Sequence, residues 1–250
     1  KSQKEKLLED FKIDLRIMGI ANSKKMIHDK KGINLDHWEA DLKEGVPVDL
    51  NEFAEAIRSD GLPHSVIVDC TASDFVAKYY EPWLSSGTHV ITPNKKANSG
   101  DLQHHEKLMA LKKDKHTHYF YEATVGAGLP VISSLRELKR TGDQILHVEG
   151  VLSGTMSYLF NTFDGSIPFS EVVKGARERG YTEPHPKDDL MGLDVARKLV
   201  ILAREMGHGL SLEDVSVEAV MPEGLDQEDD VDEFLVKLSQ MDEKMQHMLE

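Results

Sequence analysis

SVIVDCTASDFVAKYYEPWLSSGTHVITPNKK, residues 65–96, sets two short apolar runs either side of a helical pattern. Ser65–Cys70 is apolar and β-branched at strand length, which predicts a strand buried on both faces. Asp74–Ser85 reads as a helix and Thr88–Thr92 as the next strand. The alternation extends both ways from this segment. Upstream, Ile13–Ile20 reads as a strand, Ala21–Lys25 as a polar loop, and Asn51–Ser59 carries Phe53, Ala54, Ala56 and Ile57 at helical spacing. Downstream come a helix over Asp101–Lys113 and a strand over His118–Glu122. Strand and helix in regular alternation predict an α/β domain with a parallel sheet.

Past residue 126 the pattern changes. Helices are predicted over Pro130–Lys139, Thr155–Phe163, Ser170–Arg179 and Leu190–Glu205, with one strand over Ile145–Leu152. In the last of these helices Leu193, Ala196, Leu199, Val200 and Ala203 share a side. The turn Gly126–Pro130 marks the boundary, giving domains 1–128 and 129–250, the second of α+β type. Glu223–Glu233 reads as an acidic linker, and Phe234, Leu238, Met241, Met245 and Met248 recur at the spacing of a core-facing helix.

The 250 residues carry 30 Lys+Arg against 44 Asp+Glu, a formal net charge of −14, and 40% are hydrophobic. That acidity argues against a general partner of nucleic acid or of anionic membranes. No apolar run reaches the length that spans a bilayer. A single cysteine, Cys70, excludes a disulfide framework and fits a reducing compartment. His104, His105, His116 and His118 lack partners at metal-ligand spacing. The chain opens Lys-Ser-Gln-Lys-Glu-Lys, without initiator Met, signal peptide or clear transit peptide, and reads as one entered partway.

In open parallel sheets, ligands bind beyond the carboxyl ends of the strands. One such end runs into Thr71-Ala72-Ser73, small enough for a flat ring to approach the backbone, and another into Pro93-Asn94-Lys95-Lys96. The densest signal is GYTEPHPKDDLMGLDVARK (180–198). Glu183, Asp188, Asp189, Asp194 and Lys198 cluster there around a proline-stiffened loop feeding a helix, and Asp194 and Lys198, four apart, share a face. Such a cluster reads as a surface ion pair with an acidic helix start, or as a lysine poised to exchange a proton while acids grip an amino group. Glu122-Ala-Thr-Val-Gly-Ala-Gly-Leu-Pro reads as a glycine-rich hinge, and equally as an all-oxygen set for a hard cation.

VDCTAS (68–73), TPNKKANSG (92–100), YEATVGAGLPVI (121–132), LSGTMSYLFN (152–161) and GYTEPHPKDDLMGLDVARKLVILARE (180–205) together resemble homoserine dehydrogenase, most closely the dehydrogenase part of bifunctional aspartate kinase–homoserine dehydrogenases. The resemblance implies an incomplete Rossmann-type sheet followed by a substrate-binding and dimerisation domain. It implies NAD(P)-linked interconversion of L-homoserine and L-aspartate 4-semialdehyde, on the way to threonine, methionine and isoleucine. Lys198 then matches the proton donor or acceptor, Asp194 its partner carboxylate, and Lys96 a second active-site lysine near substrate and cofactor. Thr155, Tyr181, Glu183 and Asp189 match positions that hold the amino acid, Glu183 through its ammonium group. Thr71, Ala72, Ser73, Lys96 and Gly180 match cofactor contacts. Glu122, Val125, Ala127 and Leu129 match a monovalent-cation site, expected for Na+. The basic pair after Asn22-Ser23 leans towards NADP. A homodimer or higher homo-oligomer, a fused aspartate kinase part, and a cytoplasmic or plastid location are also implied.

The chain departs from the family at three points. No Gly-x-Gly-x-x-Gly is present, the family's chain continues past residue 250, and His185 stands where Asp is usual. The reading is therefore a homoserine dehydrogenase truncated at both ends, with a non-catalytic paralogue acting as an oligomerisation or regulatory partner as the alternative. Another amino-acid dehydrogenase would need a different substrate loop. An acylating semialdehyde dehydrogenase would need a nucleophilic cysteine, and Cys70 is expected inside a buried strand.

Overall fold

The computed structural model describes residues 2–58, 63–114, 117–183 and 185–249; Ser59, His116 and Pro184, which figure above, lie outside the described residues. The chain divides into two units. The first holds the residues up to Asn94 together with Glu106–Tyr121, and the second holds Lys95–His105 together with the residues from Glu122 onward. The division thus falls before the Gly126–Pro130 turn, and it assigns Lys95–His105 to the second unit.

The first unit opens with α1 (Lys4–Phe11). A three-stranded antiparallel sheet follows, β1 (Gly19–Ala21), β2 (Lys25–His28) and β3 (Val46–Pro47), with α2 (Trp38–Lys43) and then α3 (Leu50–Ala56). The expected strand Ile13–Ile20 contributes only its last residues. Ile13, Leu15 and Ile17 are exposed, and among the described residues no strand pairs with 13–17, where the Ile17 carbonyl accepts a single bond from the Ile33 N–H at 2.7 Å. The polar loop after it is a hairpin turn, in which the Asn22 side chain accepts from the N–H groups of Lys24 and Lys25, both at 2.8 Å. Asp49 caps α3 by accepting from Asn51 and Glu52.

The parallel sheet runs β4 (Val66–Val68), β5 (His89–Ile91) and β6 (Tyr119–Phe120) in sequence order. Its connections are α4 (Asp74–Ala77) with α5 (Tyr80–Ser85), and α7 (Leu102–Asp114). Only one face of β4 is covered: Ile67 is buried while Val66 and Val68 are exposed, so the expected two-sided burial does not hold. Cys70 lies past the strand and is exposed, not buried within it. The single helix expected over 74–85 is two, broken at Lys78–Tyr79. Pro82 lacks the N–H that would bond the Lys78 carbonyl, and its ring crowds that group.

The second unit is helical among the described residues: α6 (Lys96–Ser99), α8 (Val131–Arg140), α9 (Gly154–Thr162), α10 (Phe169–Glu178), α11 (Pro186–Leu190), α12 (Leu193–Met206), α13 (Val231–Leu238) and α14 (Asp242–His247). The expected strand Ile145–Leu152 does not form. Leu146 and Val151 are 91% and 76% exposed, and no strand pairs with the segment among the described residues, so its apolar pattern has nothing to add to. The helix expected from Leu190 to Glu205 is divided because Gly192 takes a left-handed φ of 71°. Leu193 and Leu199 on its expected core side are partly exposed, while Ile201 and Leu202 are buried. The hydrophobic core joins α9 and α10 to the C-terminal helices through Leu159, Phe169, Val173, Phe234 and Leu238. Met241 and Met245 are buried as expected, but Met248 is exposed, because a 3-10 turn at Ser239–Met241 breaks the single helix. The acidic linker also folds inward at Leu225, 6% exposed within a 3-10 turn.

Candidate active site

Gly192 starts α12, placing Asp194 in its first turn and Lys198 one turn further on. The Lys198 Nζ lies 2.6 Å from one Asp194 carboxylate oxygen and donates to the Leu152 carbonyl at 2.6 Å. The other Asp194 oxygen pairs with Lys95 Nζ at 3.0 Å. Burial pushes the Asp194 carboxyl up, but the hydrogen bonds and charges of Lys198 and Lys95 prevail and hold it below the usual carboxylate range. One carboxylate between two ammonium groups is therefore ionised at neutral pH.

Lys95 reaches this position because α6 is fixed to α12. The buried Arg204 guanidinium donates to the carbonyls of Asn98 and Gly100, each at 2.8 Å, and to that of Leu210 at 2.9 Å. Arg197 adds a 3.2 Å bond to the Ser99 hydroxyl. A guanidinium supplies five donors, so one buried cation satisfies three carbonyls at once.

The rest of the cleft is built by the loop after α10. Gly180, at φ 71°, ends that helix with paired bonds, Tyr181 N–H to the Ala176 carbonyl and Gly180 N–H to the Arg177 carbonyl, both at 2.9 Å. Tyr181 follows, its ring 4.8 Å from that of Tyr158. The Thr155 hydroxyl lies 2.7 Å from an Asp189 oxygen and 2.8 Å from the Tyr181 carbonyl, and Asp189 accepts the Glu183 N–H at 2.8 Å through its other oxygen. Asp189 thus holds the loop while the Glu183 carboxylate forms no ion pair among the described residues. His185 caps α11, its Nδ1 accepting the Lys187 N–H at 3.2 Å with Pro186 at the first helical position. An imidazole nitrogen supplies there an acceptor of the kind a carboxylate offers at a helix start.

These elements form a cleft of about 510 Å³ lined by Lys95, Ser153, Gly154, Thr155, Tyr158, Tyr181, Glu183, Asp189, Asp194 and Lys198. Six of the expected residues thus meet: Lys198, Asp194, Thr155, Tyr181, Glu183 and Asp189. Lys96 does not line the cleft. It is the half-buried first residue of α6, and its neighbour Lys95, which stands at the same strand end but to which the resemblance gives no role, enters instead. Tyr158, Ser153 and Gly154 were also missed; no charge pattern marks them. Gly180 acts through its backbone and lies outside the lining.

Thr71, Ala72 and Ser73 belong to the first unit. Thr71 and Ala72 are exposed past the end of β4, and Ser73 caps α4 by accepting from Val76 at 3.4 Å. The buried Asp69 holds this loop: it accepts from Thr71 N–H at 2.8 Å, from the Asn94 amide at 3.1 Å and from the Tyr80 hydroxyl. Burial, reinforced by the hydrogen bond to Asp69, pushes the Tyr80 hydroxyl far above its ordinary range. Glu122, of the expected cation set, accepts the Ser133 N–H at the start of α8. Gly126 and Ala127 carry left-handed φ of 80° and 51°, and the Leu129 carbonyl accepts from Val131.

Comparison with known proteins covers both units. Residues 1–122 match the family described as homoserine dehydrogenase, NAD binding domain, and residues 130–249 that described as homoserine dehydrogenase. A bifunctional aspartokinase/homoserine dehydrogenase 1 of Zea mays, chloroplastic by name, is 51% identical over 245 residues. The match takes in 97% of this chain and 27% of the relative, so the chain spans about a quarter of that protein's length. The crystal structure of a Candida auris protein of unknown function aligns at a TM-score of 0.83 with 34% identity, over 93% of this chain and 67% of that one. A hyperthermophilic archaeal homoserine dehydrogenase in complex with NADPH has the same fold, with a TM-score of 0.69 at 22% identity over 86% and 70% of the two chains. With one match on each unit, the chain belongs to the homoserine dehydrogenase family.

Proposed function

We propose that the protein is the dehydrogenase part of an enzyme interconverting L-homoserine and L-aspartate 4-semialdehyde with NADP(H) or NAD(H). The observation that carries this reading is the grouping of Lys198, Asp194 and Lys95 in one cleft with Thr155, Glu183 and Asp189. A non-catalytic partner would have no use for two lysines gathered on one ionised carboxylate, so the alternative has no observation in its favour.

The first unit fits a nicotinamide cofactor. Thr71 and Ala72 present small exposed side chains beyond a parallel strand, which would let a flat ring approach the backbone, and Ser73 sits beside them. These three would hold it, and when bound it supplies or takes the hydride at the substrate carbon. Lys198 Nζ moves the accompanying proton: as the ammonium it gives the proton to the aldehyde oxygen in reduction, and as the amine it takes one from the homoserine hydroxyl in oxidation. Asp194 and the Leu152 carbonyl fix that nitrogen in place. Lys95 adds positive charge where the oxygen becomes anionic, a role we give it in place of Lys96. Glu183 grips the substrate ammonium, and Thr155 and Asp189 hold the loop that carries it.

Glu122, Val125, Ala127 and Leu129 supply a carboxylate and turn carbonyls, an oxygen set of the type a monovalent cation takes, and would hold one. By analogy with the longer relative named as a bifunctional aspartokinase/homoserine dehydrogenase, an aspartokinase part would accompany this one and, in a photosynthetic eukaryote, the whole would lie in the plastid. Assembly into homodimers or larger homo-oligomers, and a role in making threonine, methionine and isoleucine, complete the proposal.

The test is Lys198→Ala in the native enzyme. We expect kcat to fall about 10³-fold, the range of a lost general acid–base, with cofactor Kd within twofold of the parent. Unchanged turnover would remove the assigned chemistry.

A further inference from the structure

Asp69 is 4% exposed and has no ion-pair partner among the described residues. Buried carboxylates without a cation persist only when their oxygens are fully engaged. Here one oxygen receives the Thr71 N–H, and the other receives the Tyr80 hydroxyl and the Asn94 amide. The same Asn94 amide also donates to the Ser73 carbonyl at 3.0 Å. Thr92, itself 1% exposed, completes the junction: its hydroxyl donates to the Asp69 carbonyl at 2.9 Å and accepts from Asn94 N–H at 2.8 Å. The ends of β4 and β5 and the first residue of α5 are thereby tied to a single carboxylate. Both ends of the 71–73 loop hang from it, Thr71 directly and Ser73 through Asn94.

We propose that Asp69 is a positioning residue that sets the Thr71–Ser73 backbone for the nicotinamide cofactor, acting from beneath the loop without touching the ligand. The proposal rests on the assignment of that loop to the cofactor, made above. The number of acceptor oxygens matters more than the shape. An amide at position 69 has one acceptor oxygen, so either orientation turns its NH2 towards a donor, the Thr71 N–H or the Asn94 amide. One donor is left unanswered in a buried site, and the loop has to move to recover it.

The test is Asp69→Asn in the native enzyme, with NADPH and NADH titrated by fluorescence. We expect cofactor Kd to weaken about tenfold while homoserine KM, measured at saturating cofactor, stays within twofold. Backbone amides of residues 71–73 should exchange with solvent faster than in the parent. A cofactor Kd within twofold of the parent overturns the proposal, and so does an equal rise in both constants, which would mark general loosening. Should Asp69→Asn not fold, Asn94→Ala carries the test, since it removes the amide that joins Asp69 to Ser73 and leaves the Thr71 bond to Asp69 in place. It should weaken cofactor about threefold, and an unchanged Kd overturns the proposal. Ala72→Trp separates the two layers of argument. If it leaves cofactor binding intact, the loop assignment itself is wrong. If it abolishes binding while Asp69→Asn does nothing, the loop is right and the positioning role is wrong.

Discussion

The two units each build on one aspartate, and they hold it by opposite means. Asp194 stands in the cleft of the second unit between Lys95 and Lys198, with about a third of its side chain exposed. Asp69 is buried in the first unit and answered by a hydroxyl, an amide and a backbone N–H. Lysine ammonium groups on flexible stems can give up a proton and take it back as amines while remaining bonded, so an aspartate held by them suits chemistry. Neutral donors fixed in secondary structure cannot change charge, so an aspartate held by them belongs to geometry. The difference teaches how one side-chain type serves two of the roles proposed above: a proton-transfer site needs exchangeable partners, and a loop support needs fixed ones.

The sharpest way to break that comparison is Asp194→Asn. The substitution keeps the shape and removes the anion that gathers both lysines. We expect kcat to fall about 10²-fold, within the span of general acid–base contributions, with cofactor Kd unaltered. Kinetics near the parent's would mean that Lys198 is held by the Leu152 carbonyl alone, and the contrast with Asp69 would lose its basis.

A second prediction concerns a buried base of the second unit held by neither device. His105 is 7% exposed, and burial, followed by the neighbouring Arg204 charge, pushes its imidazole down to about 4. The folded state therefore keeps it neutral while the unfolded chain protonates it near 6.5. Its contribution to stability is complete above pH 6.5 and is lost as pH falls towards 4, about 3 kcal/mol in all. Replacing it by His105→Gln removes the titrating group, so unfolding followed in urea should lose less stability between pH 7 and 4 than the parent does. Equal losses would show that His105 is protonated in the folded state already.

How much of this was legible in advance depends on how local the cause was. The Asp194–Lys198 pair follows from an i,i+4 spacing, and the helix it needs follows from a strong apolar pattern, so both were read correctly. Lys95 was not, because nothing near it tells it from Lys96. Its place depends on where α6 begins, and that is fixed by Arg204, more than a hundred residues along the chain. The parallel strands β4, β5 and β6 were found because each apolar run has its partner within the described chain. Ile145–Leu152 has the same texture and no partner there, so composition alone misread it. The breaks at Lys78–Tyr79 and at Gly192 were readable from Pro82 and from the glycine, and were overlooked because the apolar periodicity runs through both.

Glu183 supplies a third state of a carboxylate, and with it the smallest of the expected effects. Asp69 is filled by neutral donors and Asp194 by ammonium groups, whereas Glu183 lines the same cleft with no ion pair among the described residues. Its own N–H is spent on Asp189, which fixes the backbone and leaves the carboxylate facing the cavity. An acid held in position but without a cation is suited to receive one from the substrate. Glu183→Ala should therefore raise homoserine KM about tenfold, the loss of one charge-assisted hydrogen bond of roughly 1.5 kcal/mol. The effect on kcat should stay within about threefold, because the group sits away from the hydroxyl being oxidised. Glu183→Gln, which keeps a hydrogen-bond acceptor and removes the charge, should fall between the two. If KM is unchanged in Glu183→Ala, the ammonium is bound elsewhere, and Asp189, already committed to Thr155 and to the loop, is too fully engaged to be the substitute.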